Sequence, residues 1–110
     1  MRKLSPATYQ LVQQAFSSQD QAEVARVLAN ECADNLAFLE NANEFGLEPV
    51  RFAVVKLSRG NIAEFKWWAT MARVDWRDLL QAAGFAGSPT AHQEWASTTY
   101  GLTSTKPSGT

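Results

Sequence analysis

The chain has 110 residues, a net charge of −1 and an apolar fraction of 45%. A chain of this length forms one domain and buries a core without disulfides or metal. The near-zero net charge argues against general attraction to nucleic acid or anionic membranes.

The single cysteine, Cys32, cannot form an internal disulfide, and we expect it to be a small buried residue. No apolar run reaches the ~18 residues of a membrane-spanning helix, and no apolar signal segment follows Pro6. We therefore expect a cytoplasmic protein without membrane association.

A helix-start signal marks the first element. Ser5 followed by Pro6 predicts a helix start, because Ser caps a helix and Pro fits its first turn. Leu4 and Tyr9 stand in the two positions of a hydrophobic staple. The residues that we expect on the buried face of this helix are Tyr9, Val12 and Phe16.

The second predicted helix begins at Ser18 or Asp20 and ends near Asp34–Asn35. Its expected apolar face consists of Ala25, Leu28, Ala29, Cys32 and Leu36. The apolar residues that follow fit no single periodic template. We predict a short helical turn over Phe38–Asn43 and then a loop.

The stretch Val50–Phe85 carries the clearest helical pattern. Apolar residues recur at i, i+3, i+4 and i+7 from Val50 and again from Trp76. The third helix is predicted to open at Glu48–Pro49 and to close at Gly60. The apolar residues outside its main stripe, which predict a central position in the bundle, are Phe52 and Val55.

Two further helices follow directly. Asn61 is the predicted cap of a fourth helix over Ile62–Val74. Asp75 is the predicted cap of a fifth helix, which ends in a Schellman motif at Gly84 and Phe85.

The last predicted helix runs from Pro89, capped by Ser88, through Trp95. Residues 98–110 are mostly Thr, Ser, Gly and Pro, and this composition buries too little apolar surface to order itself. Its candidate anchors on the domain are Tyr100 and Leu102. We thus predict an all-α compact bundle of five to six short helices over residues 1–97, followed by this tail.

Charge is uneven along the chain. Asp20 to Glu48 holds seven acids and one base, whereas Arg51 to Arg77 holds six bases and two acids. We expect the two halves to pack together and neutralise each other. The alternative is a functional basic patch.

We assign no catalytic, cofactor-binding or metal-binding residues. His92 is the only histidine, and with Cys32 it supplies two of the four ligands of a usual zinc site. The candidate polar site consists of Asp75, Arg77 and Asp78, whose two carboxylates could act as a pair in acid–base chemistry. Helix capping explains these carboxylates more simply.

The turn Lys56–Asn61 suggests two more functions. Backbone N–H groups at the start of the fourth helix could bind an anion, although helix termination explains Gly60 and Asn61 without a ligand. The turn could also belong to a helix-turn-helix whose second helix reads DNA. The fourth helix carries large apolar side chains where a groove-reading helix needs polar ones, so the sequence disfavours nucleic acid as a partner.

The adjacent pair Trp67–Trp68 is the strongest interaction signal. Neighbouring residues on a helix point ~100° apart, so both rings fit poorly into one narrow core. Either one ring lies at the surface, where Trp is enriched in binding hot spots, or a wide buried helix covers both. The candidate partner-binding residues are Trp67, Trp68 and Met71.

The segment Phe52–Asn61, followed by Asp75–Phe85, resembles a family of small bacterial proteins of unknown function. The shared pattern is an alanine-containing helix ending in Lys-Leu-Ser-x-Gly, then Asp-Trp-Arg-Asp-Leu and a closing Ala-Gly-Phe. His92 and Trp95 also fit, and the match covers about a third of the chain. The chain departs from the family at Trp67–Trp68, where less bulky residues are expected. The resemblance implies a bacterial origin and brings no activity with it.

The sequence favours a binding protein over an enzyme. We expect a small bacterial protein–protein interaction or regulatory module that binds another protein or a copy of itself, without a cofactor. The alternative is an enzyme or small-ligand-binding domain that uses the Asp75–Asp78 region, and a DNA-binding module ranks third. An exposed apolar patch, a cleft with unpaired carboxylates or a continuous basic face would distinguish these three functions.

Overall fold

Five α-helices make up the part of the chain that the computed structural model describes, which is residues 4–31, 44–88 and 90–102. They are α1 (Pro6–Ala15), α2 (Ser18–Glu31), α3 (Glu44–Ser58), α4 (Ile62–Ala83) and α5 (Ala91–Tyr100). No strand occurs in these ranges, and the predicted all-α bundle is confirmed. None of the described helices is both long and apolar enough to cross a bilayer. The predictions that fall outside the described residues are those for Cys32, Asp34–Asn35, Leu36, Phe38–Asn43, Pro89 and residues 103–110 of the tail.

α3 lies at the centre of the bundle, as the sequence predicts. Every residue from Val50 to Val55 is at most 1% exposed, whereas a surface helix leaves one whole face in water. α1, α4 and α5 all pack directly against α3. Because neighbours enclose this helix, its polar side chains must find their hydrogen-bond partners inside the protein.

α3 begins at Glu44, four residues before the predicted start at Glu48. Pro49 therefore lies inside the helix, where its missing N–H removes one intrahelical hydrogen bond. The longer helix brings Leu47 into the core, where it is 0% exposed. Burying a Leu side chain stabilises a fold by about 1.5–3 kcal/mol, and this outweighs a hydrogen bond worth about 0.5–1.5 kcal/mol.

α1 begins as predicted, but its buried face differs from the prediction. Ser5 is the N-cap, and its Oγ accepts a hydrogen bond from the Thr8 backbone N–H at 3.2 Å. Val12 and Phe16 are buried, but Tyr9 is 47% exposed, so the prediction that Tyr9 is buried is wrong. The residues of α1 that enter the core are Ala7, Thr8, Leu11 and Val12. Because Thr8 is polar, the apolar pattern of the sequence does not predict this buried face. In the core, the Thr8 hydroxyl forms a hydrogen bond with Ser5 Oγ, 2.8 Å away.

A tight turn joins α3 to α4. Arg59 and Gly60 adopt left-handed backbone conformations, with φ of 53° and 77°. A Cβ at Gly60 would lie 3.0 Å from the backbone oxygen of Ala15, so both the backbone angle and the approach to α1 favour glycine. Asn61 caps α4 as predicted, because its Oδ1 accepts a hydrogen bond from the Glu64 N–H at 2.9 Å.

The two helices predicted on either side of Asp75 form one element with a kink. Asp75 has φ of −157° and ψ of 95°, a non-helical conformation inside α4. The predicted Schellman end of α4 is confirmed. Gly84 is left-handed, and the Phe85 N–H donates to the Leu80 carbonyl at 2.9 Å.

α5 extends to Tyr100, five residues beyond the predicted end at Trp95. The rings of Trp95 and Tyr100 meet edge to face with centroids 5.7 Å apart, and Gly101 ends the helix in a left-handed conformation. Both predicted anchors of the tail, Tyr100 and Leu102, are partly buried against the core. Burial also raises the pKa of the Tyr100 hydroxyl. The helix therefore continues into the segment predicted as a tail because its aromatic residues pack on the domain.

Ser88 is not the N-cap of α5. Its Oγ accepts a hydrogen bond from the backbone N–H of Thr90 at 3.2 Å.

An ion pair joins the acidic and basic halves of the chain. Glu23 of α2 lies 2.7 Å from Arg26 on its own helix and 3.3 Å from Lys66 of α4. Hydrogen bonds from Arg26, and then from Lys66, lower the pKa of Glu23 to about 2. The predicted neutralisation is thus observed at Glu23, while acids such as Asp34 and Glu40 lie outside the described residues.

Replacing Ala53 with Glu should abolish cooperative folding. Ala53 is 0% exposed on the central helix, and a buried unpaired carboxylate costs free energy comparable to a whole domain's stability of about 5–15 kcal/mol. Thermal unfolding followed by circular dichroism measures the effect, with Ala22→Glu on the exposed side of α2 as the matched control. An Ala53→Glu variant that melts at the wild-type temperature contradicts the central position of α3.

Candidate functional site

The adjacent tryptophans of α4 divide between core and surface. Trp68 is partly buried and packs against the core, whereas Trp67 is 56% exposed. Their rings meet edge to face, with centroids 4.7 Å apart and planes at 87°. Such a contact is worth about 0.5–1.5 kcal/mol beyond buried area. This contact holds the exposed Trp67 ring against Trp68, which is itself packed on the core.

Trp67 belongs to a row of exposed residues on the side of α4 that faces away from the core. The residues of this segment that enter the core are Phe65, Ala69 and Ala72. The exposed row on the other side, which we call the outer stripe, is Ala63, Trp67, Thr70 and Val74. Val74 is 71% exposed. Since Trp67 and Val74 lie two turns apart, about 10 Å along the helix, they form one apolar surface.

The two sides of the outer stripe differ in charge. A rotation of ~100° per residue places Lys66 and Arg73 along one side, and Glu64 and Met71 along the other. The three charged residues are exposed, whereas Met71 is partly buried. Met71 therefore borders the outer stripe rather than forming its crest.

Two shallow grooves lie beside the tryptophans. One, of about 450 Å³, is lined by Ala63, Glu64, Trp67 and Trp68. The other, of about 370 Å³, is lined by Leu57, Ser58, Arg59, Asn61, Glu64 and Trp68. Trp68 and Glu64 form walls of both grooves. The surface thus offers an apolar ridge, Trp67, next to recesses that can receive side chains.

The candidate polar site lies at the kink of α4. Asp75 Oδ1 accepts hydrogen bonds from the backbone N–H groups of Arg77 at 3.0 Å and Asp78 at 3.4 Å. The Arg77 guanidinium lies over the Trp76 ring, 5.4 Å from its centroid. Both carboxylates are exposed to water. Asp75 therefore acts as the cap of the second half of α4, and the arrangement gives no desolvated carboxylate pair for acid–base chemistry.

Replacing Asp75 with Ala should destabilise the protein by about 0.5–2 kcal/mol, because the backbone N–H groups at the kink lose their acceptor. Asp75→Asn keeps an oxygen in the same place and is the matched control. Urea unfolding measures both. An unchanged midpoint for Asp75→Ala contradicts the capping role.

A buried polar network, which sequence reasoning missed, connects three helices. Glu48 of α3 is 1% exposed and His92 of α5 is 3% exposed. Glu48 Oε1 lies 2.8 Å from His92 Nε2, and Oε2 accepts a hydrogen bond from Ser5 Oγ at 2.7 Å. Gln93 Nε2 adds a longer bond of 3.4 Å to Oε1. The His92 ring also packs edge to face on Phe52, with centroids 4.9 Å apart.

This network is a structural tie rather than a catalytic site. Its carboxylate stands in the centre and receives donors from both sides, so the Ser5 hydroxyl points to Glu48 and not to the imidazole. A hydrolytic triad needs the imidazole next to the nucleophile. Both Glu48 and His92 are also closed to solvent. The network therefore fixes the N-terminus of α1 and the start of α5 to α3.

The sequence carries a signal for this network at Glu48. Glu48 precedes Arg51, Phe52 and Val55 by three, four and seven residues, so it shares a face with them once the helix extends to Glu44. The predicted helix start at Glu48–Pro49 instead places this carboxylate at a solvated helix end, whereas α3 begins at Glu44.

Replacing Glu48 with Gln should weaken the acid dependence of stability. Burial raises the pKa of Glu48, but hydrogen bonds from His92 and Ser5 outweigh burial and hold that pKa below its usual 4.5. The stabilisation by ionised Glu48 is therefore present above the unfolded-state pKa and is lost as pH falls through the lower folded-state pKa.

Urea unfolding between about pH 6 and pH 3 measures this loss. Wild type should lose unfolding free energy more steeply than Glu48→Gln, while Glu64→Gln, at an exposed carboxylate of α4, should follow wild type. Equal acid slopes for wild type and Glu48→Gln contradict the assignment.

No family model, curated protein or solved structure matches this chain. The resemblance to a bacterial family therefore stays a prediction, and so does a bacterial origin. Within the described ranges, no group of three or more His, Cys, Asp or Glu residues is placed to hold a metal ion.

Proposed function

We propose that this protein is a small interaction or regulatory module of the bacterial cytoplasm that acts by binding a protein partner through the outer stripe and the Trp67–Trp68 grooves. The observation that carries the proposal is the 56% exposure of Trp67 on a helix whose opposite side already completes the core. The single cysteine and the family resemblance support the cytoplasmic and bacterial parts of the proposal.

The geometry of the two rings favours binding. An exposed aromatic ring gains several kcal/mol when it enters a partner's pocket, and such residues dominate interface energetics. Trp67 rests against Trp68, so it loses less rotational freedom on binding than an unsupported side chain would. The adjoining grooves can in turn receive apolar side chains of the partner.

A protein partner suits this surface better than DNA or a small substrate. In the outer stripe, Ala63 and Val74 offer no hydrogen bond to base edges and Trp67 offers only its indole N–H. The Thr70 hydroxyl donates to the Lys66 carbonyl at 3.1 Å.

The bases Lys66 and Arg73 flank the stripe on one side only; Lys66 is already paired with Glu23 at 3.3 Å, and Glu64 on the other side opposes a phosphate backbone. The carboxylates near the kink are exposed, and Asp75 is engaged as a cap.

Replacing Trp67 with Ala should abolish partner binding and leave the fold intact. Truncation removes the contact with Trp68, worth about 0.5–1.5 kcal/mol beyond buried area, which is a small part of a domain's stability of about 5–15 kcal/mol. Binding should weaken tenfold or more, as for other hot-spot residues. Immobilised wild type and variant are compared for the proteins they retain from source-cell lysate, quantified by mass spectrometry.

Tyr9→Ala is the matched control, because Tyr9 is a 47% exposed aromatic residue on α1. It should retain the same partner as wild type. Loss of the partner in both variants, or in neither, contradicts binding through the outer stripe.

A further inference from the structure

We infer that the groove of about 450 Å³ lined by Ala63, Glu64, Trp67 and Trp68 binds an arginine side chain of the protein partner. We call it the indole groove. This inference rests on the proposed function and names the chemistry by which the partner is recognised. Three features of the molecule support it: a carboxylate beside two indole rings, the lack of a base that neutralises this carboxylate, and the cations that the other tryptophans already hold.

Glu64 lies next to both tryptophans on the surface of α4. Trp67 follows it by three residues and Trp68 by four, and residues at these spacings are neighbours on a helix. Long side chains of a helix lean towards its N-terminus, which brings both rings towards the turn that carries Glu64. The two ring planes stand at 87° to each other. They therefore form a right-angled corner in the same groove that Glu64 lines.

This corner suits a cation, and arginine best. The face of an indole ring is electrostatically negative and attracts Arg or Lys. A guanidinium is planar, so it can stack on one ring while its N–H fork binds the carboxylate of Glu64. The methylene stem of the arginine packs on apolar surface such as Ala63. An apolar side chain in the groove would instead take water from Glu64 and give it no hydrogen bond in return.

No base of the described residues neutralises Glu64. No ion pair joins its carboxylate to a Lys, Arg or His in this part of the chain. Lys66 lies on the other side of Trp67 and pairs with Glu23 at 3.3 Å. Arg59 lines only the neighbouring groove. The negative charge at the indole groove is thus available to a cation from another molecule.

The other two tryptophans of the protein already hold cations. The Arg77 guanidinium lies 5.4 Å from the centroid of the Trp76 ring, and Lys56 Nζ lies 5.8 Å from that of Trp95. Among the described residues, no cation lies over either ring of the indole groove. The groove therefore offers the same cation-binding chemistry to a partner that Trp76 and Trp95 offer within the chain.

Titration of the full chain with N-acetyl-arginine amide tests the site, followed by the indole N–H signals in proton–nitrogen correlation spectra. The signals of Trp67 and Trp68 should shift to saturation, with a dissociation constant on the order of 1–100 mM because one exposed side chain makes few contacts. Those of Trp76 and Trp95 should stay fixed. N-acetyl-citrulline amide has the same shape without the charge and should not saturate the groove.

Three results of this titration overturn the inference. They are the absence of a saturable shift at the indole groove, equal binding of the citrulline compound, and tighter binding of N-acetyl-lysine amide, which would replace arginine by lysine as the occupant.

Replacing Glu64 with Gln tests the role of the carboxylate. The variant keeps the size of the side chain and should bind N-acetyl-arginine amide about two- to fivefold more weakly, the effect of losing one exposed ion pair. Asp78→Asn, at an exposed carboxylate of α4 outside the groove, is the matched control and should bind like wild type. Circular dichroism melting confirms that both variants are folded. An unchanged dissociation constant for Glu64→Gln overturns the inference.

The retention of proteins from lysate separates this inference from the proposed function. Glu64→Gln should retain less of the partner than wild type, and N-acetyl-arginine amide should release the partner where the citrulline compound does not. If Trp67→Ala loses the partner but Glu64→Gln retains all of it, arginine recognition is overturned and the proposed function stands. If neither variant loses the partner, both fail.

Discussion

The enclosure of α3 is the constraint on which the rest of the structure depends. Because Val50 to Val55 are all buried, helices must cover this segment on every side. α1, α4 and α5 do so directly, and α2 packs on α1 and α4. The same enclosure removes water from Glu48, so its carboxylate needs donors from neighbouring helices, and Ser5 and His92 provide them. One central helix thus dictates both the packing and the buried polar network.

α4 serves both the core and the surface because it is long and kinked. Before the kink, one side of the helix contributes Phe65 to the core, where it meets Phe16 edge to face at 5.5 Å. The other side carries the outer stripe. After the kink, Leu79 and Ala83 are buried, and the carbonyl of Ala83 accepts a hydrogen bond from Lys56 of α3 at 2.6 Å. Because the first half packs on Phe16 and the second half is bonded to α3, Trp67 projects from a helix that is attached to the bundle on both sides of the kink.

The sequence predicted the helices well where caps and apolar periodicity agreed, as at Ser5, Asn61, Asp75 and Gly84. It failed where a polar residue belonged to the core. Because Thr8 is polar, the apolar pattern did not predict that it lies on the buried face of α1. Because Glu48 is charged, the pattern predicted neither the first turn of α3 nor the contact of Glu48 with His92. A single sequence does not reveal that two polar residues 44 positions apart satisfy each other. The Trp67–Trp68 pair could be found from sequence, but its division between core and surface depends on the rotation of α4 about its axis.

Fluorine NMR of protein labelled with 5-fluorotryptophan tests the central claim most directly, because the chain has four tryptophans in different settings. Trp67 is exposed, Trp68 lies beneath it, and Trp76 and Trp95 are partly buried elsewhere. The account predicts that adding the protein partner that the immobilised chain retains from lysate moves the Trp67 resonance most and the Trp68 resonance less, while that of Trp95 stays fixed. A Trp67 resonance that does not move, or an equal movement of all four resonances, would contradict binding at the outer stripe.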